Sequence, residues 1–431
     1  MSKSKMSRYF QFFLVIIASG AIFPLIYLKG QYQETILAVY NISLEQLNAI
    51  FTFLGISCII GYFPSGLLAD KFSAKKLLAL SLLGTAAGGI WFAQVPSYGN
   101  VVVIFVIWGF FSVFTFWAAH LKIVQMLAGK DEQGRFQGIL DAGKGLVEAI
   151  LASIAVFVFT RKTPSGATDP ASLKEPLLSV VWMYIIVLIV AAVLVIIFVK
   201  EVEPHADVAE ATAATEKEEG FKFSLLGSIF RNKYVYIHGT ILFAGYVLFW
   251  TNYYYSGHLQ TNVGLSATTV GTIMVGVLWM RPFGGFIGGV CADKFGKSKT
   301  NGLALLVASI GLLVLFLAPK TLPTAVYAVL VVFIGFVLYV IRGTYWSLLG
   351  EANFSPVILG TAIGVISIMG YLPDIILPSV NTFFTNTFGI DAGTRAYFLA
   401  SMVIGLIGFV FTFIFRKAQR TDAKKLAESN K

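Results

Sequence analysis

The chain has 431 residues, 57% of them hydrophobic and 13% charged, with a net charge of +10. That balance excludes an ordinary soluble domain, in which about 25% of residues are charged. The two cysteines, Cys58 and Cys291, lie far apart inside apolar runs, so neither a disulfide nor a metal site is expected.

Twelve apolar runs are read, near 9–28, 46–69, 76–95, 101–127, 137–160, 177–199, 234–257, 268–292, 299–318, 324–350, 357–385 and 394–415. A helix of about 20 residues spans roughly 30 Å of hydrocarbon, so each is a transmembrane candidate. Lys3, Lys5 and Arg8 precede a long first run with no small-residue cleavage site, which reads as a retained helix. With the N-terminus inside, 22 of the 32 Lys and Arg fall in cytoplasmic segments. This bias sets topology, with both termini cytoplasmic, and needs no nucleic-acid partner. The expected protein is an all-α, multi-pass protein of a cytoplasmic (inner) membrane.

In chain order, the first run carries Pro24, Tyr27 and Lys29, then a polar outer segment, GQYQET. Lys29 has two readings: part of a substrate site, or a base reaching the outer headgroups. The second run ends in GLLADKFSAKK, Gly66 to Lys76, which returns as GVCADKFGKSK, Gly289 to Lys299. One 223-residue offset separates Gly66 from Gly289 and Asp70 from Asp293. A long repeat whose copies each close an apolar run means two related halves.

The frame Gly-x-x-x-Asp-Lys followed by further bases, carried by Gly66, Asp70 and Lys71 and by Gly289, Asp293 and Lys294, resembles the signature loop of the major facilitator superfamily. The second copy keeps Gly296; the first has Ser73 there. The resemblance covers the whole chain. It implies twelve transmembrane helices in two pseudo-symmetric six-helix bundles, residues 1–199 and 234–431, joined by a cytoplasmic linker, 200–233. It implies a monomeric secondary transporter that works by alternating access on a small-molecule substrate in the lipid bilayer. In that family the Asp at the position of Asp70 belongs to a cytoplasmic gate. Tyr27 to Tyr32 also resembles the basic end of helix one in organophosphate:phosphate antiporters.

The fourth run holds His120 and Lys122, and the loop after it holds Arg135; Lys122 is expected to pair with a gate carboxylate such as Asp70 or Asp141. The fifth carries Asp141, Lys144 and Glu148 at helical spacings of three and four. Charges inside a membrane cost roughly 3 kcal/mol each, so they face the bundle interior and mark function or a locking pair. Glu148, held by Lys144, is a proton-coupling candidate. The linker ends in FKFSLLGSIFRNK, an amphipathic surface helix by pattern.

In the seventh run, Trp250 and Asn252 are cavity candidates, while Tyr254 and Tyr255 suit the headgroup belt. The eighth carries Arg281 before Pro282 near mid-span, a permanent cation read as the anion-binding residue, or else as a structural Arg paired with a carboxylate such as Asp374. Arg-Pro-Phe-Gly-Gly here resembles nitrate/nitrite porters, although helix two lacks the interior Arg with which those pair it. The tenth holds Arg342 and Trp346, with gate and substrate roles both open. The eleventh holds Asp374, a second proton-coupling candidate. The tail from Arg416 is polar and reads as disordered.

These basic groups point to proton-coupled uptake of a small organic or inorganic anion. A drug or metabolite antiporter of the same fold, which would rely on the aromatics more than on Arg281, is one alternative. A non-transporting sensor is the other. No cofactor, nucleotide loop or nucleophile–base pair is found, so an enzyme is not expected.

Overall fold

The structure, a computed structural model, describes residues 3–128, 133–164, 169–200, 231–351 and 356–429. The amphipathic stretch read in the linker therefore lies outside the described residues. Among them the fold is helical throughout: α1 (Lys3–Ala21), α2 (Lys29–Tyr40), α3 (Leu44–Lys71), α4 (Ala74–Phe92), α5 (Tyr98–Gly109), α6 (Trp117–Leu127), α7 (Gln133–Lys162), α8 (Pro170–Phe198), α9 (Lys233–Trp250), α10 (Ala267–Phe295), α11 (Lys297–Leu317), α12 (Thr324–Thr344), α13 (Pro356–Tyr371) and α14 (Pro373–Ser429). Nine segments of the described residues are long and apolar enough to cross a membrane. The architecture is the twelve-helix, two-bundle one.

Local chemistry sets the helix ends. Ser43 caps α3 through a reciprocal pair: its hydroxyl accepts from Gln46 N while the Gln46 side chain accepts from Ser43 N. Asp169 caps α8 by accepting from Ser172 N at 3.0 Å, with Pro170 at the first helical position. The two copies of the repeat turn by different means. Gly296 between α10 and α11 has φ +97°, a region open only to glycine. Ser73 keeps a negative φ and instead caps α4 by accepting from Lys76 N.

Four expectations are corrected. The first run is not one helix: α1 stops at Ala21, before Pro24, and the chain resumes as α2. GQYQET is not an outer loop but part of α2, with Gln31, Tyr32, Gln33 and Thr35 all buried. Leu372 separates α13 from α14, which then runs through both remaining apolar stretches with a kink at Gly389, φ +80°. The tail is helical to Ser429 rather than disordered, and Asp422 pairs with Lys233 and accepts from the Tyr234 hydroxyl, each at 2.7 Å.

Packing divides the chain into two compact units, the described residues of Met1–Ala213 with Ser256–Trp279, and those of Ala214–Tyr255 with Met280–Lys431. In the first, a core of Phe51, Phe92, Phe105 and Trp108 joins α3, α4 and α5. Trp108 donates through Nε1 to the Thr85 carbonyl at 2.9 Å. Gly20 and Gly143 let α1 and α7 meet: a Cβ on Gly20 would reach within 2.6 Å of Val147, and one on Gly143 within 2.6 Å of Ile16. In the second, Gly284 and Gly288 seat α10 against the backbone of α12.

Among the described residues, helices change winding at three places where the sequence offers no proline, one of them the tight turn Tyr345–Glu351 after α12. α5 passes into α6 through a wide π turn at Phe110–Phe114. Beyond α9 the chain tightens at Thr251–Tyr254 and widens at His258–Asn262. Such irregular turns recur at functional sites.

Candidate functional site

The second unit gathers charged and aromatic side chains from α9, α12, α13 and α14. α9 is buried along most of its length, as a central helix must be. Tyr246 and Trp250 are four residues apart on it and share a face. Both reach one oxygen of Asp374 at the start of α14. Tyr246 Oη and Trp250 Nε1 each donate to Asp374 Oδ1 at 2.8 Å. A carboxylate inside a bilayer is stable only when served by donors of this kind.

Arg342, in the last turn of α12, lies 4.5 Å from the centre of the Phe249 ring, a cation–π contact. Asp374 and the hydroxyls of Tyr246, Tyr253, Tyr345 and Tyr371 are within electrostatic range of it. Among the described residues its guanidinium makes no hydrogen bond and no direct ion pair. Five N–H donors of a permanent cation thus stand against an aromatic wall with a carboxylate nearby. The wall continues through Trp346, whose Nε1 donates to Tyr371 Oη at 3.0 Å, and Tyr371, whose ring stands edge-on to Tyr246 at 4.9 Å. His238, absent from the sequence reading, bounds it. One ring nitrogen, Nε2, lies 2.7 Å from the Tyr345 carbonyl, and the ring meets Trp346 edge-on at 5.9 Å. A lone His on an apolar helix carries no pattern that would have marked it.

The other sequence candidates fall elsewhere. Arg281 is half-buried on α10 and engaged with neighbouring groups. Asn252 is buried, and its side-chain oxygen has no partner among the described residues. Tyr254 and Tyr255 do not form an exposed aromatic belt. They are buried against Tyr397 and Phe398 of α14, with ring centroids 5.0 and 5.7 Å apart. A Cβ added at Gly289 would meet nothing within 4 Å, and Asp293 and Lys294 are exposed at the end of α10.

In the first unit, Lys29 does not reach out to solvent. It is 1% exposed, with Nζ 4.1 Å from the Phe51 ring centre, and its carbonyl accepts from Ser256 Oγ at 3.0 Å. With Leu25, Tyr40, Phe51 and Phe105 it lines a small apolar hollow. The Tyr27 ring lies tilted against those of Phe23 and Phe51. Lys122 donates through Nζ to the carbonyl of Ala69 at 2.6 Å, next to the motif aspartate. Lys144 approaches the Trp117 ring at 5.8 Å, while Glu148 lies within electrostatic range of Tyr184. Lys71 is exposed at the end of α3. Gly66 lies within α3, and the side chains of Asp70 and Arg135 lie outside the described residues.

Comparison with known proteins fits this arrangement. The family model described as Major Facilitator Superfamily matches residues 9–378. The chain is 26% identical over 440 residues to "Inner membrane protein YqcE" of Escherichia coli strain K12, covering all of both chains. It is 23% identical over 370 residues to "Inner membrane protein YihN" of the same organism, covering 84% of each. Among solved structures it superposes on a D-xylose-proton symporter with a TM-score of 0.74 at 16% identity, covering 94% of this chain and 98% of that one. A bacterial homologue of the human lysosomal transporter Spinster gives 0.71 at 15%, covering 98% and 99%. The nucleoside transporter NupG gives 0.69 at 16%, covering 96% and 99%. These structures share the fold. The chain belongs to the Major Facilitator Superfamily: it is a multi-pass membrane transporter and not an enzyme.

Proposed function

We propose that the protein carries a small organic anion across a bacterial-type cytoplasmic membrane together with a proton. It would act as a monomer with both termini cytoplasmic, its halves being 1–199 and 234–431. The carrying observation is Arg342, a permanent cation with no direct ion pair among the described residues, set on an aromatic wall beside Asp374. An anion supplies the missing acceptors, in the paired geometry that a guanidinium favours. The rings of Phe249, Tyr246, Tyr371 and Trp346 give a carbon skeleton a surface to lie on, which favours an organic over an inorganic anion. Asp374 is the proton carrier. Trp250 can only donate, so with Oδ1 occupied the proton is taken at Oδ2. Arg281 and the Lys144–Glu148 pair take supporting roles in this reading.

The test is ligand-induced stabilisation of the purified protein against organic acids, inorganic anions, neutral sugars and cationic drugs, since whatever binds the folded state raises its melting point by mass action. Organic anions should stabilise the protein, and Arg342→Gln should abolish the effect. Stabilisation by cationic drugs alone, unaffected by Arg342→Gln, would replace this reading with drug efflux.

A further inference from the structure

The side chains around Arg342 constrain the shape of what lies on them. Arg342 and Trp346 are four residues apart at the end of α12 and the turn after it, which puts them on one side of the helix. Both are half-buried, as is Tyr371 at the end of α13, so all three are accessible. The Trp346 and Tyr371 rings stand 6.4 Å apart with their planes inclined at 47°. Tyr246 meets Tyr371 edge-on at 4.9 Å and lies parallel to Phe249 at 6.0 Å. Phe249 in turn carries the Arg342 guanidinium at 4.5 Å. A run of ring contacts therefore leads from Trp346 back to the cation, all of it within the second unit.

The polar hydrogens of these side chains are largely committed. Those of Tyr246 and Trp250 go to Asp374 Oδ1, and that of Trp346 goes to Tyr371 Oη. His238 Nε2 faces the Tyr345 carbonyl at 2.7 Å and, since a carbonyl only accepts, donates to it. Among the described residues the Tyr371 hydroxyl accepts from Trp346 and donates to none, so it and the Arg342 guanidinium keep donors to offer. A solute with hydroxyls all round its skeleton would bury most of them unpaired, which is costly. A solute that is polar at one end and flat and apolar beyond it avoids that cost. Rings also favour a ring, because edge-to-face and offset contacts add to what area burial gives. We infer that the anion carried is an aromatic carboxylate, with its carboxylate on Arg342 and its ring against Trp346 and Tyr371. This rests on the anion reading above and narrows its substrate class.

The test is calorimetric binding of benzoate, cyclohexanecarboxylate, D-gluconate and benzyl alcohol to the full-length protein in detergent. Benzoate and cyclohexanecarboxylate match in charge and carbon count. The saturated ring is the more hydrophobic of the two, so hydrophobicity alone would favour it. Wild type should instead bind benzoate about tenfold more tightly than cyclohexanecarboxylate, as two ring contacts would give, with gluconate weaker still. Trp346→Leu keeps apolar bulk and should bring benzoate down to the level of cyclohexanecarboxylate. Trp346→Phe keeps a ring and should retain the preference. Both variants lose the bond to Tyr371, so the difference between them isolates the ring. Failure of wild type to bind benzoate, equal binding of the two carboxylates, tighter binding of gluconate, or equal effects of the Leu and Phe variants would overturn the inference. Arg342→Gln separates it from the anion reading. Carboxylates that bind wild type regardless of ring type and are lost in Arg342→Gln would overturn this inference and leave the anion reading standing. Benzyl alcohol bound as tightly as benzoate, with Arg342→Gln changing neither, would refute both.

Discussion

Glycines in α10 give a prediction with an internal control. A Cβ at Gly284 would stand 2.7 Å from the Phe336 carbonyl oxygen and 2.8 Å from Tyr339 Cβ, both fixed to the α12 backbone. No rotamer change relieves that clash, so Gly284→Ala must push the two helices apart. Overpacking of a tight contact costs about 1–3 kcal/mol. Gly288→Ala is milder, since its nearest atom, Val340 Cα, would lie at 3.2 Å. Gly285 and Gly289 share the helix, yet a Cβ on either meets nothing within 4 Å. Their Ala variants should therefore keep wild-type stability. Melting of the four single variants in one detergent gives the comparison. The expected order is Gly284→Ala lowest, Gly288→Ala intermediate, and the other two unchanged. Equal loss at Gly285 and Gly284 would refute the packing argument. Gly289 belongs to the repeated motif, so a Gly289→Ala protein that melts normally but transports poorly would place its requirement in a different conformation.

Three further outcomes are expected. Tyr246→Phe removes one of two donors from a buried carboxylate and should cost about 1–3 kcal/mol; in an Asp374→Asn background the cost should shrink, and a double-mutant cycle in thermal unfolding measures the difference. Gly296→Ala forces a side chain into φ +97° and should cost about 1–3 kcal/mol, whereas Ser73→Gly at the equivalent turn should cost only a few tenths, both readable from unfolding midpoints. Hydrogen bonds from Ser172 hold the Asp169 carboxyl below the usual carboxylate range, so its capping contribution is complete above the ordinary carboxylate value and fades as pH falls through the lowered one. Hydrogen exchange at the Ser172 amide should accelerate over that acidic range in wild type, and Asp169→Asn should flatten the dependence.

Much of the fold was legible because hydrophobic run length and charge asymmetry respond to the bilayer alone. The 223-residue offset between Gly66 and Gly289 exposed the two halves for the same reason. What escaped were features decided by neighbours. GQYQET reads as a loop by polarity, yet Gln31 and Gln33 are buried, because a helix packed inside protein can hold polar groups that lipid would reject. Tyr254 and Tyr255 suit a headgroup belt by residue type, and only the position of α14 turns them inward. At the candidate site, Arg342, Trp346, Trp250 and Asp374 were visible as charge and aromaticity inside apolar runs. That Trp250 and Tyr246 converge on one oxygen of Asp374 is a matter of which helices adjoin, and periodicity does not encode it. His238 went unseen because a single imidazole in an apolar helix matches no spacing.

The central claim is proton-coupled movement of an organic anion, and uptake by proteoliposomes under an imposed pH gradient tests it most directly. With an organic acid that stabilises the purified protein, wild type should accumulate the solute against its gradient and acidify the vesicle lumen in step. Asp374→Asn should still exchange solute across the membrane without accumulating it, and Arg342→Gln should do neither. Full accumulation by the Asp374→Asn protein, or uptake by wild type with no accompanying proton movement, would contradict the account.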